Sequence, residues 1–262
     1  MLPIVAIPAR LKSTRFPRKV LAEIQGQAML WHVWHQVSKA QQVGEVLILT
    51  DNQEVEDLAS SWGANVMMTS EDCPSGTDRI ASVAHLLDAD IIVNVQADEP
   101  LITSAVVDRV IESMNQNDCD VATPVYRIHD IDDVFNPNVV KVVRGQDGQA
   151  LYFSRSPIPY VRDCQQSDWL SQASFWGHIG VYGYRRSLLL EYSNLHQGKL
   201  EQSEKLEQLR LLEAGKQIMA VEMDYHPQAV DTPADLAVVK AILERASHDS
   251  MPGQAQGSEN AD

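Results

Sequence analysis

"PIVAIPARLKSTRFPRKVL", residues 3–21, joins two stretches of opposite character. Residues 3–7 are an unbroken apolar run, the pattern of a strand buried on both faces. The loop at 8–20 then gathers five of the chain's 21 Lys and Arg residues: Arg10, Lys12, Arg15, Arg18 and Lys19. The chain as a whole carries a formal charge of −15. A basic cluster set directly after a buried strand in an acidic protein predicts a focused site for a small anion. The acidic balance argues against general nucleic-acid binding, which selects basic surfaces.

Working outward, the rhythm repeats. Leu30, Val33, Trp34 and Val37 have helical spacing, and "EVLILT" (45–50) is a second buried strand ended by Asp51 and Asn52. A helix is expected up to Trp62 with Gly63 as its stop, then a strand at "ANVMMT" (64–69). "TDRIASVAHLLD" (77–88) reads as a helix with Ser75 or Thr77 near its cap, "DIIVNV" (90–95) as a fourth strand and "SAVVDRVIESMNQ" (104–116) as a helix. Strand and helix alternate four times, which implies a parallel sheet with right-handed crossovers. Ligands of such sheets bind beyond the carboxyl ends of the strands, where "PAR", "TD" and "QADEP" fall.

After residue 118 the pattern changes. "CDVATPVYRI" (119–128), "NVVKVVR" (138–144), "QALYFSR" (149–155) and "WGHIGVYGYR" (176–185) each read as one strand, with a "GQDG" turn at 145–148. Residues 156–168 read as a loop or arm, and helical patterns return at 187–195, 201–214 and 233–246. The expectation is an α/β fold with a mixed, mainly parallel sheet. Residues 1–246 would form a single domain whose antiparallel elaboration occupies about 120–185. Residues 247–262, polar and rich in Gly, Ser and Gln, read as a disordered tail.

Cys73, Cys119 and Cys164 are odd in number and irregular in spacing, which suggests neither a disulfide framework nor a zinc site; a reducing cytoplasm fits best. The first ten residues lack the features of a signal peptide, and no apolar run reaches the length of a membrane span.

The opening loop has neither a dinucleotide-binding glycine pattern nor a Walker-A sequence. It would hold phosphates with side chains, aided by Ser13 and Thr14. A unit charge pair at 4 Å is worth about 4 kcal/mol at an intermediate dielectric, so two or three cations on a triphosphate dominate a site. A solvated loop with scattered surface cations is the competing reading of the same spacing.

Eight segments in order carry a resemblance: residues 7–21, "PSGTDR" (74–79), "VNVQADEP" (93–100), "FNPNVVKVV" (135–143), "ALYFSRSPIPY" (150–160), "GHIGVYGYR" (177–185), "LEQLRLLEAG" (206–215) and "VDTPADL" (230–236). Together they resemble the sugar-acid cytidylyltransferases, most of all the CMP-Kdo synthetase family, the 3-deoxy-manno-octulosonate (Kdo) cytidylyltransferases. The resemblance implies a Rossmann-like three-layer α/β/α nucleotidyltransferase fold, and the reaction of CTP with a sugar acid to give a CMP-sugar and diphosphate for lipopolysaccharide assembly. It also implies Mg²⁺, a homodimer formed through the central elaboration, and no membrane insertion.

On the nucleotide side, the resemblance implies that Arg10, Ser13, Arg15 and Lys19 bind triphosphate, with Arg10, Lys19 and Asp98 acting at the reacting phosphate. It sets Ser75, Gly76 and Arg79 near the cytosine and Gln96 near the sugar and the α-phosphate. Asp98 matches the principal magnesium ligand and Asp231 a second one, although Asp-Thr-Pro-x-Asp also caps helices. For the sugar acid it implies Arg155, His178, Tyr182, Glu207 and Gln208. Lys12 and Arg18 read as solvated extras.

The chain departs from the family pattern at Ala97, where Gly is common, at "PRKVL" (17–21), where "PGKPL" is common, and at Gly177, where a basic residue often precedes the histidine. Loss of positive charge at 177 would better tolerate a cationic amine on the sugar, so 8-amino-Kdo stands beside Kdo as the expected substrate. A sialic acid is a same-class rival. A nucleotide-binding regulatory protein without catalysis is the rival of a different class, opposed by the intact Arg10, Lys19, Asp98 and Asp231.

Overall fold

The structure is a computed structural model and describes residues 1–13 and 15–249. The chain opens with β1 (Ile4–Pro8), a small hairpin of β2 (Glu23–Ile24) and β3 (Gln27–Ala28), and α1 (Met29–Val37). It continues through β4 (Glu45–Thr50), α2 (Gln53–Ser61), β5 (Asn65–Met68), α3 (Gly76–Val83), β6 (Ile91–Asn94) and α4 (Ser104–Gln116). The second half holds β7 (Val121–Arg127), α5 (Ile131–Phe135), β8 (Lys141–Arg144), β9 (Ala150–Ser154), α6 (Trp169–Gln172), β10 (Trp176–His178) and β11 (Tyr182–Arg185). It ends with α7 (Arg186–Glu191), α8 (Lys199–Glu204), α9 (Gln208–Glu213), β12 (Ile218–Glu222) and α10 (Pro233–Asp249).

Ten of these strands form one sheet in the order β5-β4-β1-β6-β11-β7-β10-β8-β9, with β12 paired to β7. The β5-β4-β1-β6 half is wholly parallel. β11 runs antiparallel to both β6 and β7, β10 to both β7 and β8, and β9 to β8. With β12 parallel to β7, seven of the ten strands therefore point the same way. The chain moves outward from β1 to β4 and β5, then crosses back to β6 on the other flank of β1. That reversal is the topological switch point, which opens a crevice above the carboxyl ends of β1 and β6.

The unbroken apolar runs are explained by cover on both faces. On β1, Val5 and Ile7 pack with Leu30 and Val33 of α1, Val55 of α2 and Val107 of α4. Ile4 and Ala6 pack on the opposite side with Ile80 of α3 and Leu188 of α7. Three layers result, and the alternation of Cβ direction along one strand serves both cores.

Three expectations change. The stretch 176–185 is two strands, because its first part pairs with β8 while its second part pairs with β6. The helix expected over 201–214 is two, broken where Lys205 takes a left-handed conformation (φ 55°). The polar tail expected from residue 247 starts inside α10, which continues to Asp249; residues 250–262 lie outside the described residues. Strand β12 had no expectation attached to it. Among the described residues no helix is long and apolar enough to cross a membrane, and the three cysteines are free thiols.

Candidate active site

A cleft of about 900 Å³ lies over the switch point. The loop after β1 forms one wall with Arg10, Ser13, Arg15 and Lys19, and the start of α3 forms another with Ser75, Gly76 and Arg79. Gln96 and Asp98, following β6, join from the floor, with Asp231 and Glu207 from the C-terminal segments. Residues more than 200 positions apart are thus brought to one sheet edge. Thr14 lies outside the described residues.

At the centre is a cation between two carboxylates. The Lys19 ammonium donates to Asp98 Oδ2 at 2.5 Å and to Asp231 Oδ1 at 3.2 Å, with the Val230 carbonyl at 3.3 Å. Arg15 reaches the same Asp231 oxygen at 2.9 Å. Lys19 is placed by a short 3-10 turn, Lys19–Leu21, whose Val20 is buried in the core. The turn starts at Arg18, with φ 61° and ψ 23°. This left-handed conformation accounts for the family pattern's glycine at that position, since only glycine adopts it without steric cost. The Val230 N–H donates to the Asp98 carbonyl at 2.9 Å, so the backbone itself holds the two carboxylates side by side.

The capping bonds that the sequence could have given to Asp231 are made by its neighbours. Asp235 Oδ2 accepts from the N–H groups of Asp231 (3.0 Å) and Thr232 (2.8 Å), while Thr232 Oγ1 accepts from the Asp235 N–H (3.3 Å). This reciprocal box caps α10 and leaves the Asp231 carboxylate turned to the cleft. Glu99, next to Asp98, is buried with Oε2 lacking a hydrogen-bond partner. Desolvation, reinforced by the Asp98 charge, pushes its pKa up to about 8, so at neutral pH it is protonated and adds no charge.

Arg10 is exposed at the mouth, and among the described residues no carboxylate pairs with it. Lys12 and Arg18 make surface pairs with Glu71 (2.8 Å) and Glu54 (2.5 Å). Ser75 caps α3, its Oγ accepting from the Asp78 N–H at 3.1 Å. A Cβ on Gly76 would stand 3.0 Å from Pro8 Cγ and 3.6 Å from Gln96 Oε1, so glycine lets the helix start approach the end of β1. Gln96 Nε2 donates to Asn94 Oδ1 at 3.1 Å.

Arg79 is turned inward. Its guanidinium pairs with Asp51 at 2.8 Å and donates to Thr69 Oγ1 and the Ser70 carbonyl, pinning the ends of β4 and β5 beneath the cleft. Replacing one partner of a buried pair strands the other charge. Arg79→Met is accordingly expected to destabilise the fold by about 3–5 kcal/mol, read from the shift in a urea unfolding midpoint. A shift below about 1 kcal/mol would contradict the structural role.

The sugar-side candidates separate into two groups. Glu207 is exposed as a residue, yet its carboxyl lines the cleft. Desolvation raises its pKa against hydrogen bonds from Thr77 and Ser75. Arg155, His178, Tyr182 and Gln208 do not line the cleft. His178 and Tyr182 remain neighbours although the strand breaks between them, with ring centroids 5.2 Å apart, and Phe153 packs edge-on at the other side of His178. Thr123 at their base was missed by sequence reasoning. Its hydroxyl donates to the Val181 carbonyl at 2.7 Å and so accepts from His178 Nε2 at 2.9 Å, which sets the ring tautomer. Burial pushes the His178 pKa down to about 3, so the ring is neutral. Gln208 is buried with its Nε2 unpartnered. A buried network also escaped the sequence: Arg210 pairs with Glu201 at 2.8 Å, stands 4.0 Å from Asp78 and covers the Tyr192 ring.

Comparisons with known proteins bear on this arrangement. The family described as Cytidylyltransferase matches residues 4–218. The 3-deoxy-manno-octulosonate cytidylyltransferase of Solibacter usitatus is 46% identical over 238 residues, 90% of this chain and 92% of that protein. The enzyme of the same name from Trichlorobacter lovleyi is 46% identical over 250 residues, 92% of this chain and 98% of that one. Among solved structures, CMP:2-keto-3-deoxy-manno-octonic acid synthetase complexed with CTP superposes with a TM-score of 0.88 at 39% identity, covering 94% of this chain and all of the other. A glucose-1-phosphate thymidylyltransferase from Bacillus anthracis, at 14% identity and a TM-score of 0.63, shares the fold. The protein therefore belongs to the cytidylyltransferase family and is a nucleotidyltransferase of the 3-deoxy-manno-octulosonate type.

Proposed function

We propose that the protein transfers CMP from CTP to an eight-carbon sugar acid of the Kdo type, releasing diphosphate, and that the product is a sugar donor for lipopolysaccharide assembly. The observation that carries this reading is the convergence of Asp98 and Asp231 on Lys19, with Arg15 of the same loop on Asp231 and Arg10 lining the same cleft. Two carboxylates need a positive partner there, and their oxygens are hard donors. That fits Mg²⁺, which takes one or two carboxylates and completes its shell with water and phosphate oxygens. Asp98 and Asp231 would hold it, and it would supply charge neutralisation at the phosphates.

The chain's own groups do the rest. Arg10, Arg15 and Lys19 meet the triphosphate and stabilise the departing diphosphate. Ser75, Gly76 and Gln96 bound the nucleoside end. The sugar's anomeric hydroxyl attacks the α-phosphorus in line as the bond to the diphosphate oxygen breaks. Holding two anions in that register is the main catalytic task. On the sugar side, Glu207 joins the cleft to the Tyr182 and Tyr192 rings, whose phenols feel its charge. At Gly177 the Tyr126 ring occupies the space a side chain would fill, so no basic group enters there. This supports 8-amino-Kdo as an alternative to Kdo. We further propose a cytoplasmic homodimer; exposed Leu151 and Tyr160 on the elaboration supply apolar surface for it.

The test is diphosphate release from CTP with Kdo, 8-amino-Kdo and sialic acid side by side, with and without Mg²⁺. Release is expected only with metal and an eight-carbon acid. Silence with all three sugars would favour the regulatory reading, and preference for sialic acid would overturn the Kdo assignment.

A further inference from the structure

Lys141, the first residue of β8, has no exposed surface. Its ammonium donates to the carbonyls of Asn136 (2.8 Å), Val139 (2.6 Å) and Arg155 (2.7 Å). Three N–H donors meet three acceptors, so the group is fully satisfied although every partner is neutral backbone. Burial, helped by the nearby Arg155 charge, pulls its pKa down to about 8. An apolar side chain of equal length would occupy the same space without desolvating a charge. What the ammonium adds is geometry.

The three carbonyls belong to two separate segments, the turn before β8 and the residue after β9. Arg155 closes the same ring from the other side. Its side chain donates to the Pro137 carbonyl at 2.9 Å and the Glu204 carbonyl at 2.8 Å, and its N–H to Glu204 Oε2 at 3.0 Å. His178 is tied in through β8, since its N–H donates to the Val140 carbonyl at 2.9 Å and Gly177 pairs with Lys141.

We propose that Lys141 is a positioning residue for the sugar-acid half of the site, clamping Arg155 to the turn at 136–139 and setting His178 through β8. The proposal rests on the reading that Arg155 and His178 serve the sugar acid. It is tested with Lys141→Met in the full chain, measuring KM for the sugar acid and for CTP separately. The sugar-acid KM is expected to rise about ten-fold or more while the CTP KM stays within about two-fold. An unchanged sugar-acid KM, or an equal rise in both, overturns the proposal. Lys141→Gln, which keeps two donors, is expected to show the same split at smaller size and decides the matter if the Met variant does not fold. Arg155→Gln separates proposal from premise. If it leaves the sugar-acid KM unchanged, the sugar-side reading falls and the proposal with it. If it raises that KM and Lys141→Met does not, the clamp alone is wrong.

Discussion

Asp98→Ala is expected to lower the rate of diphosphate release by at least about 100-fold at saturating CTP and sugar acid, the size of effect that follows loss of an electrostatic stabiliser. Asp98 sits in the turn after β6, its carboxylate half-buried against Lys19 at 2.5 Å. On the proposed reading its loss would leave Asp231 alone to ligate the metal, and the adjacent Glu99 is protonated and buried, so it offers no substitute charge. Raising Mg²⁺ is expected to recover little of the activity. Parent-like turnover in the variant would contradict the role given to this carboxylate.

The second large effect belongs to Lys19. Lys19→Met is expected to reduce turnover by about 100- to 1,000-fold, because the ammonium bonds both carboxylates and, on the proposed reading, meets the phosphates. A thermal measurement distinguishes its two duties. In the parent, Lys19 occupies the space between Asp98 and Asp231, where on the proposed reading a metal ion would have to compete with it. Without the ammonium those carboxylates repel one another. Mg²⁺ alone is then expected to raise the melting temperature of the variant more than that of the parent, since a ligand that binds only the folded state stabilises it. Equal shifts would mean that Lys19 and the metal do not share a site.

How far the sequence discloses all this depends on whether a residue's neighbours are local. The strands β1, β4 and β6 are legible because a parallel strand buried on both faces is a near-continuous apolar run, here short, rich in Ile and Val and followed by polar residues. The helix break at Lys205 is not, because a lysine in left-handed conformation leaves no mark in composition. The break in 176–185 hides inside a continuous apolar run; only the switch of pairing partners from β8 to β6 creates it. Strand β12 is likewise decided by its partner β7, about a hundred residues earlier.

The same division runs through the site. The cationic loop and the two aspartates stand out by charge at strand ends. At Asp231 the sequence leaves a cap and a ligand both open; in the fold Thr232 and Asp235 take the capping bonds and Asp231 lines the cleft. Arg79 carries the sequence of a nucleotide-site cation and spends its charge on Asp51. Lys141, inside the strand-like "NVVKVVR", is fully buried, and nothing in its local sequence marks it as such. Charge identity is written in the sequence; the direction a charged side chain takes depends on distant backbone carbonyls and carboxylates.

The most direct measurement is a crystal structure with CTP and Mn²⁺, using the anomalous signal of manganese to locate the ion. The account predicts a peak between Asp98 and Asp231, in contact with a phosphate oxygen, with Lys19 moved onto the phosphates and Arg10 on the flank of the triphosphate opposite the ion. A nucleotide bound away from this cleft, or bound in it with the ion remote from both carboxylates, would contradict it.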